Sequence, residues 1–402
     1  MTHKERMLAA IQHKQLDQIP FAPRMDLWYI ANKAKGQLPS KFEGKNTVEL
    51  AKELDVACHA VRADYTLPRP KEDLMFRAFG VDNHPDYPYR VELKGIPIKF
   101  EADHENLKTW IDTPAGELFV HIKTSWEMQK DGISIPFVLS YPIRTIEDLD
   151  PVAWFFEHLE VVPTPDNYLN FQNRIGDQGL AIANGLPVAS PLHLLLHDLM
   201  PMDKFYYAYI DYPDKLYQFA KRIEPFFEKA LNAVLDSNCE AFLWGSNYDE
   251  STTYPAFFEK EILPWLQKVS KKASKKGKYV VTHADGENHD LLHLYPKSGI
   301  HIAESVTPYP MTKCTLKEIR AGMGESITIY GGIPAIVLLE NSMDDTAFKR
   351  YMEKFFSEDV GDGRGLILGV ADNVPPNANL ARIQEINVMV KKFGSVPKTT
   401  GN

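Results

Sequence analysis

Cysteine is scarce in this chain. Cys58, Cys239 and Cys314 are scattered and odd in number, which argues against a disulfide framework. No C-x-x-C pair occurs, so the usual thiolate zinc patterns are absent. Positive charge is also in deficit. Lys and Arg total 45 against 54 Asp and Glu, a net charge of −9, and that excludes a general nucleic-acid binder, which needs a basic face. No apolar run is long enough to span a bilayer. The opening Met1-Thr2-His3-Lys4-Glu5-Arg6 reads as a charged helix start and not as a signal peptide. The expected compartment is the cytoplasm.

Apolar residues make up 44% of the chain, enough for one large core. Thr2 and Glu5 have capping-box spacing, which predicts a helix over Thr2–Lys14. Short apolar runs then alternate with longer amphipathic ones. The runs Ile19–Pro23, Val56–Val61, Leu180–Ala183, Ala241–Trp244, Tyr279–Thr282, Gly299–Ala303, Ile327–Tyr330 and Leu366–Val370 read as parallel strands buried on both faces. Helices are expected over Met202–Asp236, Tyr254–Lys276, Thr315–Gly322, Asp345–Phe356 and Asn377–Phe393, with Gly277 and Gly394 as C-caps. Strand–helix alternation through the C-terminal half and eight candidate strands predict α/β architecture, a (β/α)8 TIM barrel spanning 1–402 as a single domain. A doubly wound open sheet is the alternative, but no G-x-G-x-x-G stands at a first strand-to-helix turn. The region from about 64 to 174 breaks the rhythm. Segments such as Tyr89–Gly95 and Glu117–Ile122 alternate like hairpins, so this is expected to be an insertion near the barrel mouth.

Polar residues just past barrel strand ends share one pocket. Here they are Arg24 and Asp26, Asn184, the cluster Asn247-Tyr248-Asp249-Glu250, His283 with Asp285, Glu304, and Asp372. Asp249, Glu250 and His283 are the expected catalytic groups. Arg24, Asp26, Asn184, His193, Asn247 and Tyr248 are expected to bind substrate. His283-x-Asp285 aims an imidazole and a carboxylate the same way from a strand end. With Glu304 and Asp372 they form a candidate N/O metal set. A His–Asp pair that merely organises a loop is the alternative. His193 and His197 have i, i+4 spacing and read as helix-surface residues, His193 with an alternative place in the pocket.

The order and spacing of several segments resemble the uroporphyrinogen decarboxylase superfamily, and within it the corrinoid-dependent methyltransferases. The segments are Glu5–Ile11 leading to Ile19-Pro20-Phe21, Ala183-Asn184-Gly185-Leu186-Pro187, Tyr330-Gly331-Gly332-Ile333-Pro334 and Leu366–Pro376. The decarboxylases hold a polycarboxylate substrate with an arginine-rich first loop. This chain offers Arg24 and Asp26 near that place but no multiple-arginine loop, so porphyrin decarboxylation is not expected. Methyltransferases acting on coenzyme M carry H-x-C-G and a later cysteine as zinc ligands. In this sequence the first motif reads His283-Ala284-Asp285-Gly286, and the later cysteine falls at about Asp372. Carboxylates in place of thiolates leave zinc a stronger Lewis acid, suited to an ether oxygen.

The resemblance thus implies a metal-assisted methyltransferase, similar to the first component of O-demethylase systems. It would move a methyl group from a methoxylated, aromatic substrate to the Co(I) corrinoid of a partner protein. This chain has no D-x-H-x-x-G motif of its own for a corrinoid. The alternatives are a decarboxylase or lyase using His283 and Asp249 as acid and base, and a non-catalytic binding barrel. The assembly state is open, a homodimer included.

Overall fold

The computed structural model describes residues 1–61, 70–133 and 135–393. The insertion boundary at Asp64 and the C-cap at Gly394 lie outside the described residues. Within the insertion, β1 (Tyr89–Leu93), β2 (Ile98–Ala102), β3 (Asn106–Thr113), β4 (Gly116–Lys123), β5 (Phe137–Ser140) and β6 (Leu159–Pro163) form two antiparallel sheets, ordered β2-β3-β4-β5 and β1-β6. The hairpin expected around Glu117–Ile122 is present as β3–β4, with Thr113 opposite Gly116. Tyr89–Gly95 does not form a hairpin with its neighbour. Its partner is β6, from Tyr89↔Pro163 to Leu93↔Leu159. The buried Tyr89 and Val91 face the main core, so burial of one face decides the pairing over local sequence.

The main sheet is parallel and runs β12-β11-β10-β9-β8-β7. Its strands are β7 (Ile182–Asn184), β8 (Ala241–Ser246), β9 (Tyr279–His283), β10 (Ile302–Val306), β11 (Thr328–Pro334) and β12 (Leu366–Ala371). Almost every strand residue is buried, because helices cover the sheet. The expected strand over Ile19–Pro23 is reduced to a single parallel bridge, Phe21↔Leu368. Pro20 and Pro23 have no N–H to extend a ladder. Leu368 N donates to Pro20 O at 2.9 Å and Ala22 N to Leu368 O at 2.8 Å. The run Val56–Val61 is likewise no regular strand. Ala57 N donates to Phe21 O at 2.8 Å, while Ile182 N on β7 donates to Ala60 O at 2.9 Å. These two segments link one edge of the sheet to the other.

The first helix is His3–Ile11, closed by the expected capping box between Thr2 and Glu5. The helix expected over Met202–Asp236 is two, Met202–Asp211 and Pro213–Asp236. Pro213 disfavours helical geometry at Tyr212, and the chain breaks there. The helix expected over Tyr254–Lys276 carries a π-turn at Phe258–Ile262 ahead of Leu263–Lys275. Pro264 lacks the donor that a regular turn requires, and the wider turn absorbs the gap. Gly277 ends this helix with φ of 67°, as expected for a C-cap. The insertion leans on the loops that follow Phe21 and β12. Its helix Trp126–Lys130 packs against the helix Asp26–Ala34. At Gly132 an added Cβ would lie 2.5 Å from Pro376, so a side chain there would disturb the seat.

Candidate active site

The carboxyl ends of β9, β10 and β12 meet the segments that follow Phe21 and Val56. His283 ends β9 and lies directly beside Glu304 on β10. Their side chains meet with Nδ1 of His283 2.5 Å from Oε2 of Glu304. The other oxygen, Oε1, is 3.0 Å from Nε2 of His59. On the far side of the His283 ring, Nε2 faces Oδ1 of Asp285 and Oδ1 of Asp372, each at 3.6 Å. Asp372 also accepts from Arg24 at 3.3 Å, Ser305 at 3.2 Å and Asn373 at 2.6 Å. Arg24 grips Asp26 through both carboxylate oxygens, at 2.9 and 3.0 Å. Such a fork is the strong geometry for an arginine–carboxylate pair.

Local backbone features aim these groups. The β10 register shifts between Glu304 and Val306, and the intervening Ser305 has φ of 63°. That bulge turns its hydroxyl toward Asp372. Asn247, just past β8, has φ of 58° and donates its backbone N–H to the carbonyl of His283 at 3.0 Å.

The buried electrostatics are one-sided. Glu304 is 2% exposed. Burial alone would push its carboxyl up, but the His283 and His59 imidazoles outweigh it and hold it well below the usual range. An ionised Glu304 accepts from both rings. Nδ1 of His283 therefore donates to Glu304, and Nε2 is the ring nitrogen turned toward Asp285 and Asp372. The geometry also moves Glu304 out of the expected ligand set. Nδ1 and Nε2 point apart, so Glu304 cannot share an ion with Asp285 through Nε2. Its position is that of the carboxylate that orients a ligating histidine.

A metal requires donors with unused capacity. Oδ1 of Asp285 is buried and has no hydrogen-bond partner. Two donors on one zinc at bond lengths of about 2.0 Å lie about 3.3 Å apart in a tetrahedron, and the 3.6 Å spacings here are close to that. The donor chemistry of His283 and Asp285 therefore fits a divalent ion, and Asp372, which already accepts from Arg24, Ser305 and Asn373, adds a carboxylate beside them. A tighter group stands elsewhere. Among the described residues, the three side chains whose donor atoms all lie within 4.8 Å of one another are Glu250, His289 and Asp290. This group is exposed or half-buried, and the Lys313 ammonium already contacts Glu250.

The remaining expected site residues make their contacts away from this network. Asp249 accepts from the backbone of Ser251 and of Glu287, both at 2.9 Å. It ties the loop after β8 to the loop after β9, and although burial raises its pKa, the Ser251 hydroxyl and these backbone hydrogen bonds win and lower it. Glu250 accepts from the backbone of Asp290 at 2.8 Å. Asn184 is buried at the end of β7 and donates to Gly185 O at 3.1 Å. Tyr248 is fully buried, its hydroxyl 3.0 Å from that of Thr282.

His193 is not on a helix surface. It is 1% exposed, accepts from the backbone of Ala189 at 3.1 Å and packs against Tyr248. Burial, with His197 adding to it, pushes its imidazole down to about 3. The side chain of Asn247 meets Nε2 of His197 at 2.6 Å. Behind His197 lies the buried Asp198, itself paired with Arg77 at 2.5 Å.

Sequence reasoning missed His59 as a site residue, and it placed Ser305 only at the strand end beside Glu304. His59 is the one polar side chain in the apolar run Val56–Val61, and that was the available signal. Ser305 depends on a bulge that no pattern announces.

No family model matches this chain, and no curated protein matches its sequence. Among solved structures the chain is similar to a methyltransferase from Methanosarcina mazei, with a TM-score of 0.56 at 15% identity over 98% of this chain and 99% of that one. At that identity the likeness is one of fold, and it extends over essentially the full length of both proteins.

Proposed function

We propose that this chain is a metal-assisted methyltransferase that removes a methyl group from a methoxylated aromatic compound and passes it to the Co(I) corrinoid of a separate protein, in the cytoplasm. The observation that carries this reading is the two-sided His283. Its Nδ1 is held by Glu304 and its Nε2 faces two carboxylates. The full-length fold likeness to a methyltransferase supports it. The hydrogen bonds that link Pro20–Ala22 to β12, and Ala60 to β7, support reading the architecture as a closed (β/α)8 barrel. Enzymes of that architecture carry their chemistry on this face.

His283, Asp285 and Asp372 would hold the ion, with zinc the best match to an N/O set that keeps one position open. When bound, it would polarise the ether oxygen and stabilise the departing phenolate. The chain's own residues do the rest. Glu304 fixes the ring of His283. Arg24 and Ser305 fix the carboxylate of Asp372, and Asp26 in turn fixes Arg24. A decarboxylase with Asp249 as its acid or base is less favoured, because the backbone of Ser251 and Glu287 already occupies that carboxylate.

The test is methylation of reduced cobalamin by the purified protein, across methoxylated aromatics, methylamines and methyl thiols. Methyl transfer from the methoxylated compounds, lost on chelation and restored by zinc, is the expected result. Full activity in the chelated protein, or activity confined to another donor class, would overturn the reading.

A further inference from the structure

We infer that His59 is a positioning residue that acts through Glu304 to keep the His283 proton on Nδ1. The inference rests on the reading that Nε2 is the working nitrogen of His283.

Glu304 is almost completely buried. A buried carboxylate is costly unless both of its oxygens receive donors. Here each oxygen has one imidazole, His283 on Oε2 and His59 on Oε1. A neutral imidazole carries a single N–H. Donation from His59 through Nε2 therefore places its proton there, just as donation from His283 places the other on Nδ1. The His59 ring is itself held, with its centroid 5.1 Å from that of the buried Tyr330.

His59 reaches neither Asp285 nor Asp372 in any described contact. Its leverage is on the orientation of Glu304. With the second donor in place, the carboxylate has one arrangement that satisfies both oxygens. Without it, Oε1 is left buried and unpaired, and Glu304 gains by turning away from His283. The His283 ring then loses the partner that selects its tautomer. A proton on Nε2 would point toward Asp285 and Asp372 and block that nitrogen as a ligand.

The experiment reads the ring nitrogens directly. In the full-length, zinc-loaded protein with ¹⁵N-labelled histidine, long-range ¹H–¹⁵N spectra should show His283 as the Nδ1–H tautomer and His59 as the Nε2–H tautomer. His283→Gln and His59→Gln variants assign the signals. This measurement needs no variant to stay active. His59→Phe should leave His283 in a mixture of tautomers and weaken zinc binding about 10- to 100-fold. His59→Gln keeps a donor for Oε1 and should restore a single tautomer, with zinc affinity within about threefold of wild type. A wild-type His283 protonated on Nε2 would overturn the inference. So would a folded His59→Phe protein with an unchanged His283 signal and unchanged zinc affinity. If the tautomers are as stated but no methyl transfer occurs, the functional reading fails and the role of His59 stands.

Discussion

Two groups of histidine and carboxylate sit on the same end of this molecule, and they differ in what surrounds them. Glu250, His289 and Asp290 lie on loops with their donor atoms close together. His289 and Asp290 are 2.8 Å apart and both more than half exposed. Glu304 and His283 are buried and His59 is half-buried, on or beside sheet strands, and every contact among them is between different elements. The loop group has the tighter geometry for an ion, yet water and Lys313 compete for it. The strand group has looser distances but fixed orientation and low solvation, where electrostatic interactions are stronger. Closeness of donors is a weak guide to function unless the surroundings also hold them.

The comparison breaks most visibly in activity. His283→Ala should lower the rate of cobalamin methylation at least about 100-fold and remove bound zinc, while His289→Ala should change the rate less than about twofold. Equal losses in the two variants would erase the distinction. Stability gives the next contrast. Glu304→Ala strands two buried imidazoles and should cost about 3–5 kcal/mol in chemical denaturation.

Acid sharpens the contrast between buried and exposed imidazoles. His193 stays neutral in the folded protein down to about 3, whereas in the unfolded chain it takes up a proton near 6.5. The unfolded state therefore binds more protons as pH falls. Stability that is complete above about pH 6.5 should be reduced by roughly 2 kcal/mol at pH 5. A His193→Phe protein should lose less over that interval, and an identical pH dependence would assign the acid loss to other groups. The smallest effect belongs to the loop group. Glu250→Gln should leave the melting temperature within about 2 °C of wild type, since exposed ion pairs contribute little.

Much of this was legible in the sequence, and what was not has a physical cause. The apolar runs ending in His283, Glu304 and Asp372 marked β9, β10 and β12, because strands buried on both faces must be apolar throughout. Their polar ends marked the site. The division of labour around the His283 ring was not legible. Spacing shows that His283 and Asp285 share a direction, but not that Glu304 approaches the opposite nitrogen, which depends on the register between two strands. The density of polar residues after β8 suggested Asp249 and Glu250, and loops need such side chains to satisfy their own backbone. The helix at His193 misled because a short helix under the loops has no solvent face.

Among the described residues, every member of the His283 network lies before residue 62 or after residue 282. None of the described residues of the insertion joins it, although the insertion leans on the segments bearing Asp26 and Asp372. Ancestry and engineering can therefore treat the two parts separately. The antiparallel sheets are free to accumulate changes, as long as the seat at Gly132 is kept. The charged network is not free in that way, since Glu304 and Asp372 are each answered by partners on other strands or loops. Descendants of this protein should diverge fastest in their antiparallel sheets and slowest in a handful of strand-end residues. A library confined to the two antiparallel sheets should leave turnover intact.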